Sequence, residues 1–347
     1  MSLNKKFLKS FFINVLTISF VLLLLYWTLP KDKDQIIAAK NALREANLTY
    51  IFLAVVTFGF FLVITFYRWL TLLRIQNICL TVKESLQLHM AGFFFNTTTP
   101  GAVSGDLLKI GTAIRRDPEK RLQAVMSIFM DRLIGLGALL AFVLILLVPA
   151  MNFILNESSH NVRLATLIVA AGSICGGICL ILWIIRRKLL RIFLIKKLLR
   201  SFEKKAPRLH QAFNQIIDAI EAYQQQWKTC LFLFGLSLLS HSCLGLSFYI
   251  VGLSLNLEIS PLLFILSIQV SNALASVLPL PGGLGLRDSI GKSFLIAAGC
   301  PEAAAAVAPL LYSGVILFWG GIGALFFVYW RSCTPKLKIQ STITHHL

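Results

Sequence analysis

The sequence has few charged side chains and very few acidic ones. Only 14% of its 347 residues are charged, and 15 Asp and Glu stand against 33 Lys and Arg, which gives a formal net charge of +18. Soluble domains carry about 25% charged residues, so this shortage excludes an ordinary soluble globular protein. The basic residues flank apolar runs, which is typical of membrane topology signals, and we therefore expect no nucleic-acid partner.

The sequence also lacks the paired cysteines of a disulfide framework and the histidine spacings of a metal centre. Its seven cysteines are scattered in or beside apolar runs, and we interpret them as small packing residues. Residues 285–293 end in Gly-Lys-Ser, but five residues separate the two glycines where a P-loop requires four. We therefore expect neither a metal site nor a cofactor.

Long apolar runs dominate instead, with 57% hydrophobic residues and a mean hydropathy of +0.77. A helix that crosses a bilayer needs about 20 apolar residues. The run at 10–29 follows three lysines and is too long for the core of a signal peptide, so we assign it as the first span. The five further predicted spans are 51–73, 123–148, 164–185, 230–251 and 303–329.

Two other apolar regions are interrupted by proline and glycine. The region 83–113 is broken at 96–106, and the region 259–299 is broken at 279–288. Proline removes a helix hydrogen bond and glycine loosens the backbone, so neither region forms one straight helix. The residues assigned to these breaks are Pro100, Gly101, Gly105, Pro281, Gly282, Gly283 and Gly285.

Loop charges predict how the broken regions lie in the membrane. Lysines before the first span and eleven Lys or Arg within 186–228 place both segments in the cytoplasm. If the first broken region crossed completely, the basic cluster at 115–121 would lie outside, so a re-entrant hairpin from the cytoplasm fits better. The second region has no flanking Lys or Arg and is predicted to enter from outside. Both chain termini are then cytoplasmic.

The two broken regions occupy matching positions. Two predicted spans start at 51 and 230, which are 179 positions apart. The prolines of the two breaks, at 100 and 281, are 181 apart, and the next spans start at 123 and 303, which are 180 apart. One additional span between the units gives them opposite orientation, which predicts an all-α inverted repeat with six full spans and two re-entrant hairpins. Transporters with such repeats bind substrate where discontinuous helices meet near the midplane. The predicted organisation is one transmembrane domain at 1–347, repeat halves at 1–150 and 164–331, and a basic cytoplasmic linker at 186–228.

Several motifs occur in a fixed order along the chain. Asn96 to Asp106 with Lys109 comes first, Asp131-Arg132 follows, and Pro-Gly-Gly-Leu-Gly from Pro281 with Arg287 lies near the end. This ordered set resembles the lysylphosphatidylglycerol synthase transmembrane-region family, also described as flippase-like integral membrane proteins. The resemblance implies movement of lipids or lipid-linked precursors between leaflets. Members that synthesise aminoacylated lipid carry a large soluble transferase domain, whereas only 331–347 follow the last span, so synthase activity is not expected.

Charges at membrane depth are the candidates for binding a lipid headgroup. Each costs about 2.5–3.5 kcal/mol at the bilayer centre on insertion scales, so such groups pair or face water. Half-helices starting after Gly105 and Gly285 would point free N–H groups and a positive dipole end at a lipid phosphate. The predicted substrate-binding residues are Asn96, Asp106, Lys109, Asp131, Arg132, Arg287 and Asp288.

Each candidate in the first half has a structural alternative. Asp106 either caps a helix N-terminus or contributes to substrate or ion coupling, and Lys109 is in position to pair with it. Asn96 either contacts the headgroup or satisfies the broken backbone. Asp131 and Arg132 diverge by about 100° on a helix, so we expect them to serve different partners.

The basic residues of the second half also have two interpretations. Arg287 either binds a phosphate with two hydrogen bonds or pairs with Asp131 or Asp288. The stretch 186–200 is either an amphipathic helix on anionic inner-leaflet lipids or ordinary positive-inside flanking. The sequence does not indicate an oligomeric state.

An integral membrane enzyme of lipid or lipid-linked glycan metabolism is the alternative function. Lipid-dependent glycosyltransferases use acidic residues of an outer loop, and Asp32 and Asp34 follow the first span on the predicted outer side. Apolar residues after them indicate a short surface helix, for which they are ordinary first-turn acids. The sequence therefore favours a flippase or transporter of a phospholipid or polyprenyl-phosphate-type lipid in the cytoplasmic membrane.

Overall fold

The structure is a computed structural model that describes residues 33–99, 103–190, 207–276 and 281–333. The predicted first span at 10–29, together with Asp32, Pro100 and Gly101, lies outside these residues. All regular elements of the described part are helical. Its α-helices are α1 Lys33–Glu45, α2 Leu48–Ile75, α3 Val82–Thr98, α4 Ser104–Arg116, α5 Arg121–Asn152, α6 His160–Leu190, α7 Pro207–Gln225, α8 Trp227–Ser254, α9 Pro261–Ala275, α10 Leu286–Ala297 and α11 Glu302–Cys333.

Four of these helices, α2, α5, α8 and α11, are long and apolar enough to cross a membrane. They contain the predicted spans 51–73, 123–148, 230–251 and 303–329, which are thereby confirmed as helices of membrane-spanning length. Many of their large apolar side chains are exposed, as expected for surfaces that contact lipid. The predicted span 164–185 lies within α6.

The limits of both predicted breaks differ in the structure. Helix α3 continues through Thr98 and α4 begins at Ser104. The helix accommodates Thr97 and Thr98 because their hydroxyls donate to carbonyls one turn earlier and are thereby satisfied within it. Asn96 and Asp106 are therefore helical residues, contrary to the predicted break at 96–106. In the second region α10 already begins at Leu286, so the predicted end of that break at 288 is also wrong.

Glycines act differently in the two breaks. Gly282, Gly283 and Gly285 have φ angles of 55°, 70° and 81°, in the left-handed region that residues with a Cβ rarely adopt. Gly105 instead lies in the first turn of α4, where a Cβ would sit 2.0 Å from the carbonyl oxygen of Gly92. Its missing side chain lets α3 and α4 touch.

The described helices repeat in length and in packing. Helices α2 and α8 have 28 residues each, and α5 and α11 have 32 each. Helix α3 of the first hairpin (α3–α4) packs on α11, while α9 of the second hairpin (α9–α10) packs on α5. The two hairpins meet where a Cβ on Gly282 would lie 3.5 Å from Thr97 Cα. The re-entrant placement of both hairpins in a membrane stays a prediction.

The predicted linker 186–228 contains helix α7, which docks on the bundle. The Tyr223 hydroxyl donates to the Leu72 carbonyl at 3.2 Å, and Gln76 Nε2 donates to the Ala219 carbonyl at 2.8 Å. Most of the stretch 186–200, for which we considered a surface helix, lies outside the described residues.

Candidate functional site

A buried ion pair joins α2 to α5 beside the first hairpin. Arg68 Nε lies 2.7 Å from Asp131 Oδ1, and Arg68 Nη1 donates to the hydroxyl of Ser237 on α8 at 3.0 Å. Gly135, one turn beyond Asp131, leaves room for the guanidinium, since a Cβ there would lie 3.1 Å from Arg68 Nη1. Removing ions from water costs several kcal/mol each, so each partner depends on the other.

A second ion pair links the first hairpin to α5. Arg132 Nε and Nη2 lie 2.8 and 2.7 Å from Asp106 Oδ2. The carboxylate is buried, whereas the Arg132 side chain is 56% exposed. Asp131 and Arg132 therefore serve different partners, as their helical geometry predicts. Arg132 Nη1 has no hydrogen-bond acceptor in the described part of the protein, and this leaves one edge of the guanidinium open.

Lys109 does not pair with Asp106, contrary to that alternative of the sequence analysis. Its ammonium lies 3.3 Å from His89 Nδ1 and 4.6 Å from the centroid of the Trp69 ring. The residue is only 5% exposed, and within the described chain no carboxylate oxygen lies within 4.0 Å of its nitrogen. The Trp69 Nε1–H is itself buried without an acceptor in the described structure. The Asp106 carboxylate is instead contacted by Arg132.

The hydrogen bonds around His89 fix its protonation state. The Thr65 hydroxyl donates its hydrogen to carbonyls one turn earlier, so at 3.3 Å it can only accept from His89 Nε2. His89 Nδ1 is then the acceptor for the Lys109 ammonium. His89 is a neutral ring with hydrogen on Nε2, and Lys109 carries the charge.

Counting these groups gives the first hairpin an excess of positive charge. Three cations, Arg68, Lys109 and Arg132, stand against two carboxylates, Asp106 and Asp131, so the cluster carries a net charge of +1 with neutral histidine. A buried excess charge is unfavourable unless a counterion or water approaches it. We call these five residues the first-hairpin cluster. Its chemistry suits an anionic group.

Asn96 serves the backbone of the first hairpin. Its Oδ1 accepts a hydrogen bond from the Gly105 N–H at 2.8 Å, which is the structural one of its two predicted roles. In the second hairpin the Asp288 Oδ2 accepts from the Gly285 N–H at 3.1 Å. A side-chain acceptor therefore holds a glycine N–H at the start of both α4 and α10.

In the second hairpin the charges are already paired. Arg287 is 2% exposed and Asp288 is fully buried. Arg287 Nε and Nη2 lie 3.2 and 3.0 Å from Asp288 Oδ1, Nη1 donates to the Gly282 carbonyl at 3.1 Å, and Nη2 also contacts the Ser313 hydroxyl. Ser313 in turn donates to Asp288 Oδ1 at 2.9 Å. The structure thus pairs Arg287 with Asp288 and not with Asp131.

Three members of this region were not among the predicted site residues: Arg68, Trp69 and His89. Arg68 is the only charged residue in the predicted span 51–73, and a charge inside a membrane helix is a functional candidate by default. His89 was considered only as a metal ligand. The sequence contains no signal that places its ring beside Lys109, because 20 residues and a helix break separate them.

Comparison with known proteins agrees with this architecture. The chain is 23% identical over 324 residues to a UPF0104 membrane protein of Pyrococcus horikoshii, and the alignment covers 90% of this chain and 94% of that relative. The sequence profile described as the lysylphosphatidylglycerol synthase TM region matches residues 14–323. Because this match takes in both hairpins, three of the membrane-length helices completely and most of α11, the protein is an integral membrane member of the lysylphosphatidylglycerol synthase TM region family.

Proposed function

We propose that this protein is a lipid flippase or transporter that moves a phospholipid or a lipid-linked, polyprenyl-phosphate-type substrate between the leaflets of the cytoplasmic membrane. The observation that carries the proposal is the net positive first-hairpin cluster, in which Lys109 is buried without a carboxylate partner in the described protein. A lipid phosphate would supply the missing negative charge through charge-assisted hydrogen bonds.

The proposed membrane placement puts this cluster within reach of lipid headgroups. The first hairpin enters from the cytoplasm, the second from outside, and both chain termini are cytoplasmic, as the loop charges predict. Backbone that ends inside a bilayer is tolerated only against protein or beside a water-filled cavity. The contact between Thr97 and Gly282 supports a meeting of both hairpins at membrane depth.

Within the first-hairpin cluster the residues take distinct roles. Arg132, with its exposed side chain and open Nη1 edge, contacts the headgroup phosphate first, and Lys109 provides the deeper positive charge. Asp106 orients Arg132, and Asp131 orients Arg68. The two halves of the protein then rock against each other, so that the headgroup faces the opposite leaflet while the acyl or prenyl tails stay in lipid.

Arg287 and Asp288 have a supporting role in this proposal. Each nitrogen of Arg287 has a protein acceptor, so phosphate binding there would require breaking the Asp288 pair. Arg287→Lys separates the two roles, because lysine keeps the charge but cannot reproduce the contacts to Gly282 and Asp288 at once. If Arg287 binds the headgroup, Arg287→Lys protein should fold normally and lose lipid movement. If Arg287 supports the hairpin, the variant should instead be less stable.

The decisive experiment measures leaflet exchange of fluorescently labelled phospholipids and polyprenyl phosphates in proteoliposomes. We expect Arg132→Gln and Lys109→Met to slow the exchange of one headgroup class at least tenfold. Arg115→Gln is the matched control, since it removes one charge from an exposed position of α4, the helix that carries Lys109. Undiminished exchange in folded Arg132→Gln and Lys109→Met proteins would refute the assignment of the site.

The alternative membrane enzyme makes the opposite prediction. Asp34 is exposed in the first turn of α1, where the helix dipole already accounts for a carboxylate. Asp34→Asn combined with Asp32→Asn should leave lipid exchange unchanged if the protein is a flippase. Loss of lipid modification in that variant, with no lipid exchange in the wild type, would favour the enzyme.

A further inference from the structure

A separate polar contact lies where α5, α8 and α9 meet, outside the predicted substrate-binding set. His241 Nε2 of α8 lies 3.1 Å from the carbonyl oxygen of Gly135 on α5. A carbonyl accepts hydrogen bonds only, so Nε2 carries the hydrogen and Nδ1 is left as a lone-pair acceptor. Nδ1 is buried and has no hydrogen-bond partner in the described structure.

Gln269 of α9 brings a second unpaired acceptor to the same place. Its Nε2 donates to the main-chain carbonyl of His241 at 2.7 Å, and this fixes the amide orientation because the reverse would set two oxygens against each other. Gln269 Oε1 is then also buried without a donor in the described chain. The Gln269 amide therefore contacts the same residue that carries the unpaired Nδ1.

Buried polar atoms are nearly always hydrogen-bonded, so these two acceptors on contacting residues call for a donor other than the described side chains. An anion does not meet this requirement, whereas a proton does. We propose that His241 Nδ1 binds a proton, that Gln269 Oε1 accepts the resulting N–H, and that this site carries the coupling proton of the transport cycle. The coupling role rests on the proposed lipid movement, but proton binding at His241 does not.

The charged surroundings connect this site to the first-hairpin cluster. Helix α8 packs against α2, α5, α7, α9 and α11. Helix α9 has no ionisable residue, and the charge that acts on His241 is Arg68 of α2, which lies against Gly135 and is paired with Asp131 of α5. Other titratable or charged groups on these helices are Arg132 of α5, Tyr312 of α11, Tyr223, Asp218 and Glu221 of α7, and Cys230 and Cys243 of α8 itself.

Protonation at His241 would therefore place a second positive charge near Arg68. The two cations would compete for Asp131, so binding a proton weakens the Arg68–Asp131 pair that joins α2 to α5. Since Gly135 belongs to the first half and His241 and Gln269 to the second, the proton biases how the halves fit together.

Proton binding is tested directly by NMR of protein with ¹⁵N-labelled histidine rings in lipid nanodiscs between pH 8 and pH 3. His241→Gln identifies the signal among the six histidines of the chain. We expect a neutral ring with hydrogen on Nε2 at pH 8 and a doubly protonated ring at lower pH. Gln269→Leu should weaken proton binding about tenfold, moving the transition by about one pH unit towards acid.

Gln225→Leu on α7, an exposed position, is the matched control and should titrate as the wild type does. A ring that stays neutral down to pH 3 in folded protein would overturn the site, as would a Gln269→Leu titration equal to that of the wild type. A ring that stays neutral would be expected if a water donates hydrogen bonds to His241 Nδ1 and Gln269 Oε1 instead.

Coupling is tested by lipid exchange under an imposed pH gradient. We expect the rate of lipid exchange by the wild type to depend on the gradient. Gln269→Leu should lose most of that dependence, and the NMR spectrum checks that this variant is folded. Exchange that ignores the gradient, in a protein whose His241 titrates, would overturn the coupling role and leave proton binding intact. Absence of all lipid exchange would refute the proposed function, while the titration would still decide proton binding.

Discussion

The ion pair between Arg68 and Asp131 offers a quantitative test of the buried charge network. In Arg68→Met, the Asp131 carboxylate loses a 2.7 Å contact and stays buried. Removing one partner of a buried ion pair destabilises proteins by roughly 3–5 kcal/mol. We expect the lower end, about 3 kcal/mol, since Lys109 and Arg132 also attract Asp131.

The double variant distinguishes an ion pair from two independent residues. Asp131→Asn alone should also cost about 3 kcal/mol, because it leaves the buried Arg68 guanidinium with neutral acceptors and no counter-charge. The double variant has no unpaired charge in this pair and should be no less stable than either single variant. The coupling energy is then about 3 kcal/mol, at the upper end of values measured for neighbouring residues.

Unfolding of detergent-solubilised protein by sodium dodecyl sulfate, followed by tryptophan fluorescence, measures these differences. Arg74→Met is the control, since Arg74 is exposed in the last turn of the same helix and its loss should change stability by less than about 0.5 kcal/mol. Two outcomes would refute the reasoning: single variants as stable as Arg74→Met, or a double variant whose loss equals the sum of both.

Three further predictions concern close contacts, and the same unfolding assay measures each. Gly105→Ala should destabilise the protein by about 3 kcal/mol or more, because its Cβ would meet the backbone of α3 at 2.0 Å. The control Gly111→Ala lies on the same helix with nothing within 4 Å and should stabilise the protein slightly. Equal stability changes in the two variants would contradict the close approach of α3 and α4. Gly252→Ala should cost about 1–3 kcal/mol, since its Cβ would lie 2.4 Å from a phenylalanine ring, while Gly235→Ala on the same helix meets open space and should not destabilise. Asn96→Ala should cost about 1–3 kcal/mol by leaving a backbone N–H unpaired, and a neutral result would mean that this N–H finds another acceptor.

Local patterns in the sequence were sufficient to predict the helical architecture. Runs of apolar residues predicted four membrane-length helices, and proline and glycine predicted both breaks, because these signals act within one or two helical turns. One edge of the first break was misplaced for an equally local reason: the hydroxyls of Thr97 and Thr98 are satisfied by carbonyls of their own helix, so both residues belong to it. The order of motifs was enough to indicate the family.

The divergence of Asp131 and Arg132 was also predictable, because neighbours on a helix point about 100° apart. The partners of Asp131 and Arg132 could not be predicted from the sequence. Arg68 lies 63 positions from Asp131, and Asp106 lies 26 positions from Arg132, so only the packing of α2, α4 and α5 decides which charges meet. No short-range pattern encodes those distances.

The tertiary structure therefore decided how the charged residues pair. Sequence alone left Arg287 open to phosphate, Asp131 or Asp288, and the left-handed turn at Gly282 and Gly283 brings a carbonyl and Asp288 around its guanidinium. The sequence alone also suggested Asp106 as the partner of Lys109. The sequence determined which charges enter the membrane domain, while their pairing depends on helix contacts between residues far apart in the chain.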